Sequence, residues 1–145
     1  MYDAVIFDND GVLVSRTPYD VLQESVWAAF DAAGVADPDP SLVDSLAVDV
    51  SPADVREVCA AYGLDPETFW ARRDRLSAER QQAEARAGRK TPYEDVAALD
   101  RLSVPAGIVS SNQQSTVDFL LDHFGLGSYF GVAVGREPTL ESLTR

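Results

Sequence analysis

Residues 5–14 have the sequence Val5-Ile6-Phe7-Asp8-Asn9-Asp10-Gly11-Val12-Leu13-Val14, in which two carboxylates follow an apolar run. Three consecutive apolar residues without polar alternation are typical of a central strand of a parallel sheet, buried on both faces. Asp8 and Asp10 then lie at the carboxyl end of that strand, where open α/β sheets bind their ligands. Two carboxylates this close repel each other unless a cation or a shared proton lies between them. Mg²⁺ is the simplest partner, because it prefers oxygen ligands.

Two further strands follow in the second half of the chain. We predict the first strand over residues 2–8, the second over 104–109 and the third over 129–134. Thr91 and Glu94 have the spacing of a capping box before the second strand, and Ser115 is predicted to cap the helix after it. These residues alternate between helix and strand patterns, which indicates an α/β sheet.

From about residue 16 to residue 90 the pattern is helical only, without a strand signal or an internal repeat. Each predicted helix start is a capping residue followed by proline, at Thr17-Pro18, Asp39-Pro40, Ser51-Pro52 and Asp65-Pro66. We therefore predict a discontinuous core, formed by residues 1–15 and 91–145, with a Rossmann-like parallel sheet in which three strands are visible. Residues 16–90 form an all-helical cap inserted into that core.

The charge of the chain excludes some classes of partner. Asp and Glu number 24 against 12 Lys and Arg, and the net charge of −12 argues against nucleic acid and anionic membranes. Abundant Asp with a single lysine, Lys90, is typical of proteins that work in concentrated salt, so we predict a halophilic source. An ordinary acidic cytosolic protein is the alternative.

The compartment is predicted from the cysteine content and the N-terminus. Cys59 is the only cysteine, so the chain has no internal disulfide, which fits a reducing cytoplasm. The N-terminus lacks the pattern of a signal peptide, and no apolar run approaches the length of a membrane span. We predict a soluble cytoplasmic protein.

The two carboxylates suggest covalent chemistry. A carboxylate at a strand end can attack phosphorus or carbon and form a covalent intermediate. A second carboxylate two residues later can protonate the leaving group and then deprotonate the attacking water. Mg²⁺ bound by Asp8 and Asp10 would compensate the charge of a phosphate held beside them.

Polar side chains are also predicted at the end of the second strand, on the same edge of the sheet. They are Ser110, Ser111 and Asn112, and they are candidates for phosphate binding. Backbone N–H groups near Ser115, at the start of the next helix, would add to an anion site. Arg16 and Thr17, at the entry to the cap, are weaker candidates for substrate contact.

Two motifs resemble those of the haloacid dehalogenase-like hydrolases. Asp8-Asn9-Asp10-Gly11-Val12-Leu13 is similar to the first motif of that family, and Gly107-Ile108-Val109-Ser110-Ser111-Asn112 is similar to the second. The inserted helices resemble the cap of the phosphoglycolate phosphatase and beta-phosphoglucomutase branch, and the resemblance covers the whole chain. It implies that Asp8 is the nucleophile that becomes an aspartyl-phosphate and binds Mg²⁺. It also implies that Asp10 is the general acid/base and lends a backbone carbonyl to the metal, and that Ser110 binds the phosphoryl group.

The chain departs from the family after its second motif. Family members carry a Lys or Arg after the third strand and an acidic pair after a later one, whereas here no lysine follows Lys90 and no acidic pair follows Ser111. Arg136 and Arg145 are the only late basic residues. The sequence therefore resembles the front part of a longer hydrolase.

The function predicted from these residues is a Mg²⁺-dependent phosphatase that hydrolyses a small phosphorylated metabolite, a phosphomonoester, through an aspartyl-phosphate. A sugar-phosphate mutase of the same superfamily is an alternative, in which the phosphoryl group returns to substrate instead of passing to water. Dehalogenation by attack on carbon is less favoured, because that reaction needs neither the second aspartate nor the metal. The missing motifs motivate a further alternative, a catalytically inactive fragment or binding module that keeps the scaffold.

Overall fold

The computed structural model describes residues 1–144, so Arg145 lies outside the described residues. The chain divides into two compact units. Unit 1 consists of Met1–Thr17 and Gln81–Arg136, and unit 2 consists of Pro18–Arg80 and the residues after Arg136. The predicted division into residues 1–15, 16–90 and 91–145 differs at three places, of which the first is that residues 16–17 belong to unit 1. Residues 81–90 belong to unit 1, because Ala85 and Lys90 are buried there, and Leu140 belongs to the core of unit 2.

Unit 1 contains a three-stranded parallel sheet, as predicted. Its strands are β1 (Val5–Phe7), β2 (Ala106–Gln113) and β3 (Val132–Arg136), in the order β1-β2-β3. Val5 pairs with Ala106, and Gly107 pairs with Val132. The helix between the last two strands is α5 (Gln114–His123), and short 3-10 helices cover Glu94–Arg101 and Gly127–Tyr129.

One face of this sheet carries the core of unit 1. Ile108 is fully buried there, in a cluster with residues of α5 and the loops, which are Leu13, Val96, Leu99, Val117, Leu121 and Leu126. The opposite face is exposed, and Ile6, on the edge strand β1, is 60% exposed. The expectation that the first strand is buried on both faces is therefore wrong. Within residues 1–144 β1 has β2 as its only strand neighbour, and no helix covers the face on which Ile6, Val109 and Val132 lie.

Unit 2 is helical, as predicted. Its helices are α1 (Tyr19–Ala32), α2 (Pro40–Ser45), α3 (Pro52–Tyr62) and α4 (Pro66–Arg86), of which the last continues into unit 1, and a 3-10 helix covers Glu141–Thr144. Phe30, Phe69 and Trp70 are the largest side chains of its buried core, which also includes Cys59 and Leu140. Among residues 1–144, none of the helices combines the length and the apolar character that a membrane span requires.

Three of the predicted caps are confirmed. Asp39 accepts a hydrogen bond from the Ser41 N–H, Ser51 and Asp54 form a capping box, and Asp65 accepts from the Thr68 N–H at 2.9 Å. Each of these bonds spans two or three residues, so the local sequence is sufficient to predict it.

The other three predicted caps are wrong, because distant partners or a longer strand replace the local contacts. Pro18, not Thr17, is the N-cap of α1, and Tyr93, not Thr91, precedes the 3-10 helix. The N-cap of α5 is Gln113 instead of Ser115, since β2 continues to Gln113.

Candidate active site

The turn after β1 places the two aspartates. The Asn9 carbonyl accepts hydrogen bonds from the N–H groups of residues 12–14 at 3.2, 2.8 and 3.2 Å, which closes the turn tightly. Gly11 has a φ of +80°, and a Cβ added there would lie 2.6 Å from the Nε of Arg16. The left-handed backbone favours glycine at this position, whereas the exposed Arg16 side chain can move aside.

Asp8 is the exposed member of the pair. It directly follows β1, and its Oδ1 accepts a hydrogen bond from the Asn9 N–H at 2.7 Å. This bond orients the carboxylate from one side. Its exposure makes Asp8 accessible to a ligand at the carboxyl end of the sheet.

Asp10 is half-buried and has a cation beside it. Its Oδ1 accepts a hydrogen bond from the Lys90 ammonium, and its Oδ2 accepts one from the Nδ2 of Asn112 at 3.0 Å. The Lys90 side chain is fully buried, and its Nζ also donates to the Ser15 carbonyl at 2.7 Å and to the Thr17 hydroxyl at 3.2 Å. The two neighbouring carboxylates thus have different surroundings.

Lys90 reaches this position because two chain segments pair beside the turn. The Ser15 N–H donates to the Thr91 carbonyl at 2.8 Å, and the Thr91 N–H donates to the Ser15 hydroxyl at 3.0 Å. The Tyr93 N–H donates to the Leu13 carbonyl at 3.0 Å. Residues 13–15 and 91–93 therefore run side by side, which brings Lys90 next to Asp10.

Asn112 is held by a glutamine from α4. Its Nδ2 donates to the Oε1 of Gln81 at 2.7 Å, and the Nε2 of Gln81 donates to the Oδ1 of Asn112 at 3.3 Å. Gln81 is buried, and its Oε1 also accepts from the Thr17 hydroxyl at 3.2 Å. These bonds make one continuous network from Thr17 and Gln81 through Asn112 to Asp10.

The two serines predicted to bind phosphate lie within β2, not after it. The Ser110 side chain is buried, and its hydroxyl accepts a hydrogen bond from the Asn112 N–H at 3.1 Å. Ser111 is exposed, and its carbonyl accepts from the Nε of Arg136 at 3.0 Å. The pairing of β2 with β3 shifts between Val109 and Gln113, so this part of the strand is irregular.

Arg16 and Thr17, the weaker candidates for substrate contact, have different environments. Arg16 is exposed and lies against Gly11, whereas Thr17 is half-buried and bonds to Lys90 and Gln81. Thr17 therefore belongs to the network around Asp10.

The oxygen donors at the carboxyl end of the sheet fit a Mg²⁺ site that has only one or two protein ligands. In the part of the chain that the structure describes, no three side chains of His, Cys, Asp or Glu group together as a metal site. Mg²⁺ needs only one or two carboxylates, because it retains waters and takes up phosphate oxygens. The Asp8 carboxylate fits this role. The Asp10 carbonyl is a second oxygen donor, since the hydrogen bonds that close the turn use the Asn9 and Val14 carbonyls.

Lys90 and Gln81 are the two site residues that the sequence interpretation missed. The sequence pattern places Lys90 at the end of the helical insertion and indicates no role for Gln81. A usable signal existed for Lys90, because the two connections of an inserted module begin and end at the same place in the core. The only lysine of the chain stands directly before the predicted return to the core, so it had to lie near residues 15–17.

Comparisons with solved structures show a shared fold. A protein described as a predicted phosphatase from Clostridium acetobutylicum is 23% identical, with a TM-score of 0.58, and the match covers 100% of this chain and 68% of that one. One described as a predicted phosphoglycolate phosphatase from Haemophilus somnus is 19% identical, with a TM-score of 0.55 and coverage of 92% and 62%. One provisionally described as a beta-phosphoglucomutase from Thermotoga maritima is 20% identical, with a TM-score of 0.59 and coverage of 92% and 61%.

These matches are to structures of low sequence identity, so they show the fold alone. The chain spans between about three fifths and two thirds of the length of these three structures. No curated protein sequence matches it. A family model described as haloacid dehalogenase-like hydrolase matches residues 2–140, which is nearly the whole chain. The chain therefore belongs to the haloacid dehalogenase-like hydrolase family, as its two motifs predicted.

Proposed function

We propose that this hydrolase is a Mg²⁺-dependent phosphatase that acts on a small phosphomonoester through an aspartyl-phosphate. The observation that carries the proposal is the unequal setting of the two aspartates. Asp8 is exposed at the end of β1, whereas Asp10 is engaged by Lys90 and Asn112. Double displacement needs two carboxylates with two different roles, a nucleophile and a proton carrier.

In the first step an oxygen of Asp8 attacks phosphorus, and the bond between phosphorus and the ester oxygen breaks. The departing oxygen takes a proton from Asp10, which becomes a carboxylate. The Asn9 N–H, bonded to the Asp8 Oδ1, leaves the other oxygen of Asp8 for attack. This division of one hard displacement into two is the reason for a covalent intermediate.

In the second step a water molecule attacks the phosphorus of the aspartyl-phosphate and gives a proton to the Asp10 carboxylate. The bond between phosphorus and Asp8 breaks, and inorganic phosphate leaves.

Phosphate and metal are assigned to the remaining oxygen and N–H groups of this edge. We assign the phosphoryl group to Ser110 and Ser111, since the Asn112 side chain is bonded to Asp10 and Gln81. The Asp8 carboxylate and the Asp10 carbonyl would hold Mg²⁺, which supplies charge compensation for the phosphoryl oxygens when bound. The substrate is a small phosphorylated metabolite, and the net charge of −12 disfavours nucleic acid.

The direct test is phosphate release by the purified full-length protein. We expect turnover of p-nitrophenyl phosphate that is lost on chelation and restored by Mg²⁺. We expect Asp8→Asn to remove it altogether. Borohydride reduction of protein quenched during turnover should convert the Asp8 acyl-phosphate to homoserine, which peptide mass spectrometry locates. Arg89→Met, a change at an exposed side chain paired with Glu84, should leave activity unchanged.

The alternatives give other results in the same experiment. A sugar-phosphate mutase would form the aspartyl-phosphate but return the phosphoryl group to a sugar phosphate, and product analysis detects the isomer. The shared fold with the Thermotoga maritima protein favours this as the second candidate. Failure to release phosphate from a broad panel of phosphoesters, with no trapped intermediate, would overturn the phosphatase and support a binding module.

A further inference from the structure

We propose that Lys90 is a positioning residue for the general acid/base, which holds the Asp10 side chain in the orientation that serves proton transfer to the leaving group. This inference rests on the proposed function. Lys90 lies 80 residues after Asp10 and outside both sequence motifs of the site.

The burial of Lys90 requires an explanation. It is the only lysine of the chain, and its side chain is fully buried. Burying an ammonium group is costly unless the charge is paired and hydrogen-bonded. Here the charge is paired with Asp10, and the other donors of the ammonium go to the Ser15 carbonyl and the Thr17 hydroxyl. Asp10 is therefore the single charged partner of this buried cation among residues 1–144.

The contacts of Lys90 fix the rotation of the Asp10 side chain. Lys90 donates a hydrogen bond to Oδ1, and Asn112, from the neighbouring strand β2, donates one to Oδ2. Hydrogen bonds between charged groups are shorter and stronger than neutral ones, so the ammonium is the stronger of the two contacts. Without Lys90, the carboxylate would keep only the bond from the Asn112 amide and would lose its fixed direction.

Lys90 is itself held in place by main-chain pairing. Its neighbour Thr91 exchanges two hydrogen bonds with Ser15, and its Nζ contacts the Ser15 carbonyl on the same segment. The ammonium is therefore tied to the segment that follows the Asp10 turn. This preorganisation is what a positioning residue supplies, because misplacing a catalytic group by about 1 Å can cost on the order of 10²-fold in rate.

The kinetic test compares two leaving groups. p-Nitrophenolate leaves without a proton, whereas an alkoxide leaving group requires one from Asp10. For the purified full-length protein we expect Lys90→Met to lower kcat/KM for an alkyl phosphate on the order of 10²-fold, and for p-nitrophenyl phosphate much less. Asp10→Asn should show the same split. The double variant should be no slower than Asp10→Asn alone, because both changes remove one function.

Arg89→Met is the matched control. Arg89 precedes Lys90 in the chain, but its guanidinium is exposed and pairs with Glu84. Removing this cation should leave kcat/KM for both substrates unchanged. Equal losses on the two substrates in Lys90→Met would indicate a purely structural role and would overturn the inference.

A second measurement does not depend on turnover or on the folding of Lys90→Met. Since the chain has one lysine, protein labelled with [¹⁵N]lysine has one side-chain ammonium signal. We expect a slowly exchanging signal in the parent protein, which shifts and broadens in Asp10→Asn but not in Arg89→Met. A signal that is unchanged in Asp10→Asn would contradict the pairing.

The two proposals fail in different ways. Parent protein that releases phosphate from neither substrate would overturn the proposed function, while the ammonium signal would still decide whether Lys90 holds Asp10. Active parent protein without the leaving-group split would overturn the inference and leave the phosphatase intact.

Discussion

At the scale of single residues, the site depends on the difference between two aspartates that are separated by one asparagine. Asp8 accepts a hydrogen bond from the main-chain N–H of Asn9. Asp10 accepts hydrogen bonds from an ammonium and an amide on residues about 80 and 100 positions away. The turn at Gly11 makes this difference, because it directs the chain back beside the strand end. Adjacent carboxylates can therefore serve different steps of one reaction.

Cys59 provides a prediction at the same scale. Its side chain is fully buried in the core of unit 2, and burial, with a smaller effect of Asp65, raises the pKa of the thiol to about 11. Because the thiolate is the reactive form, we expect native protein to react with a disulfide reagent very slowly, and unfolded protein in urea to react at once. Absorbance of the released thiol measures both rates.

A cysteine placed at an exposed position is the control. Ser103→Cys in a Cys59→Ala background should react rapidly in the native protein, since Ser103 lies exposed before β2. Rapid labelling of Cys59 in native protein would contradict its burial.

At the scale of elements, the capping box of α3 predicts a dependence of stability on pH. The Ser51 hydroxyl and the Ser51 N–H both donate hydrogen bonds to the Asp54 carboxylate. Both bonds lower the pKa of Asp54, and the bond from the hydroxyl has the larger effect. The lowered pKa means that the folded state favours the carboxylate. The stabilisation is therefore present above the pKa of the unfolded chain and is lost as pH falls through the folded value.

We expect Asp54→Asn to reduce stability near neutral pH and to flatten the acidic part of the stability profile, as measured by urea unfolding at several pH values. Ser51→Ala should cost about 1 kcal/mol, the usual value of an N-cap. Ser103→Ala is the control and should have little effect. An unchanged acidic profile in Asp54→Asn would show that other carboxylates dominate.

The elements also show what could be predicted from the sequence. The helix starts at Asp39, Ser51 and Asp65 were predictable, because each cap is a contact within three residues. Thr17 has the same local pattern, yet its hydroxyl bonds to Gln81, which lies 64 residues away. Local patterns carry no information on such a partner.

In the candidate site, too, local sequence patterns predict positions along the chain but not the distant hydrogen-bond partners. The positions of Asp8 and Asp10 at a strand end were predictable from the apolar run, whereas Ser110 and Ser111 lie within β2 instead of after it. The bonds that link Asn112 to Asp10 and Gln81, and Lys90 to Asp10, span from 31 to 102 residues. They depend on tertiary packing, so the sequence showed the candidates but not the network.

At the scale of the whole molecule, the net charge of −12 predicts a dependence of stability on salt. Self-repulsion between surface carboxylates destabilises the compact state, and salt reduces the range of this repulsion to about 3 Å at 1 M. We expect Tm to rise on the order of 5 °C between low and molar KCl. Calorimetry or circular dichroism measures the shift.

Removing exposed carboxylates is the matched test. Asp37→Asn with Asp95→Asn lowers the negative charge at two exposed positions, so we expect a higher Tm at low salt and a smaller rise with KCl. Insensitivity of both proteins to KCl would contradict the halophilic prediction.

The buried Lys90 also has a practical consequence. A protease that cleaves only after lysine has one peptide bond to attack in this chain, between Lys90 and Thr91. That bond is protected while Thr91 remains hydrogen-bonded to Ser15. Cleavage into two fragments therefore requires the paired segments to separate, and its rate reports the free energy of that local opening in unlabelled protein.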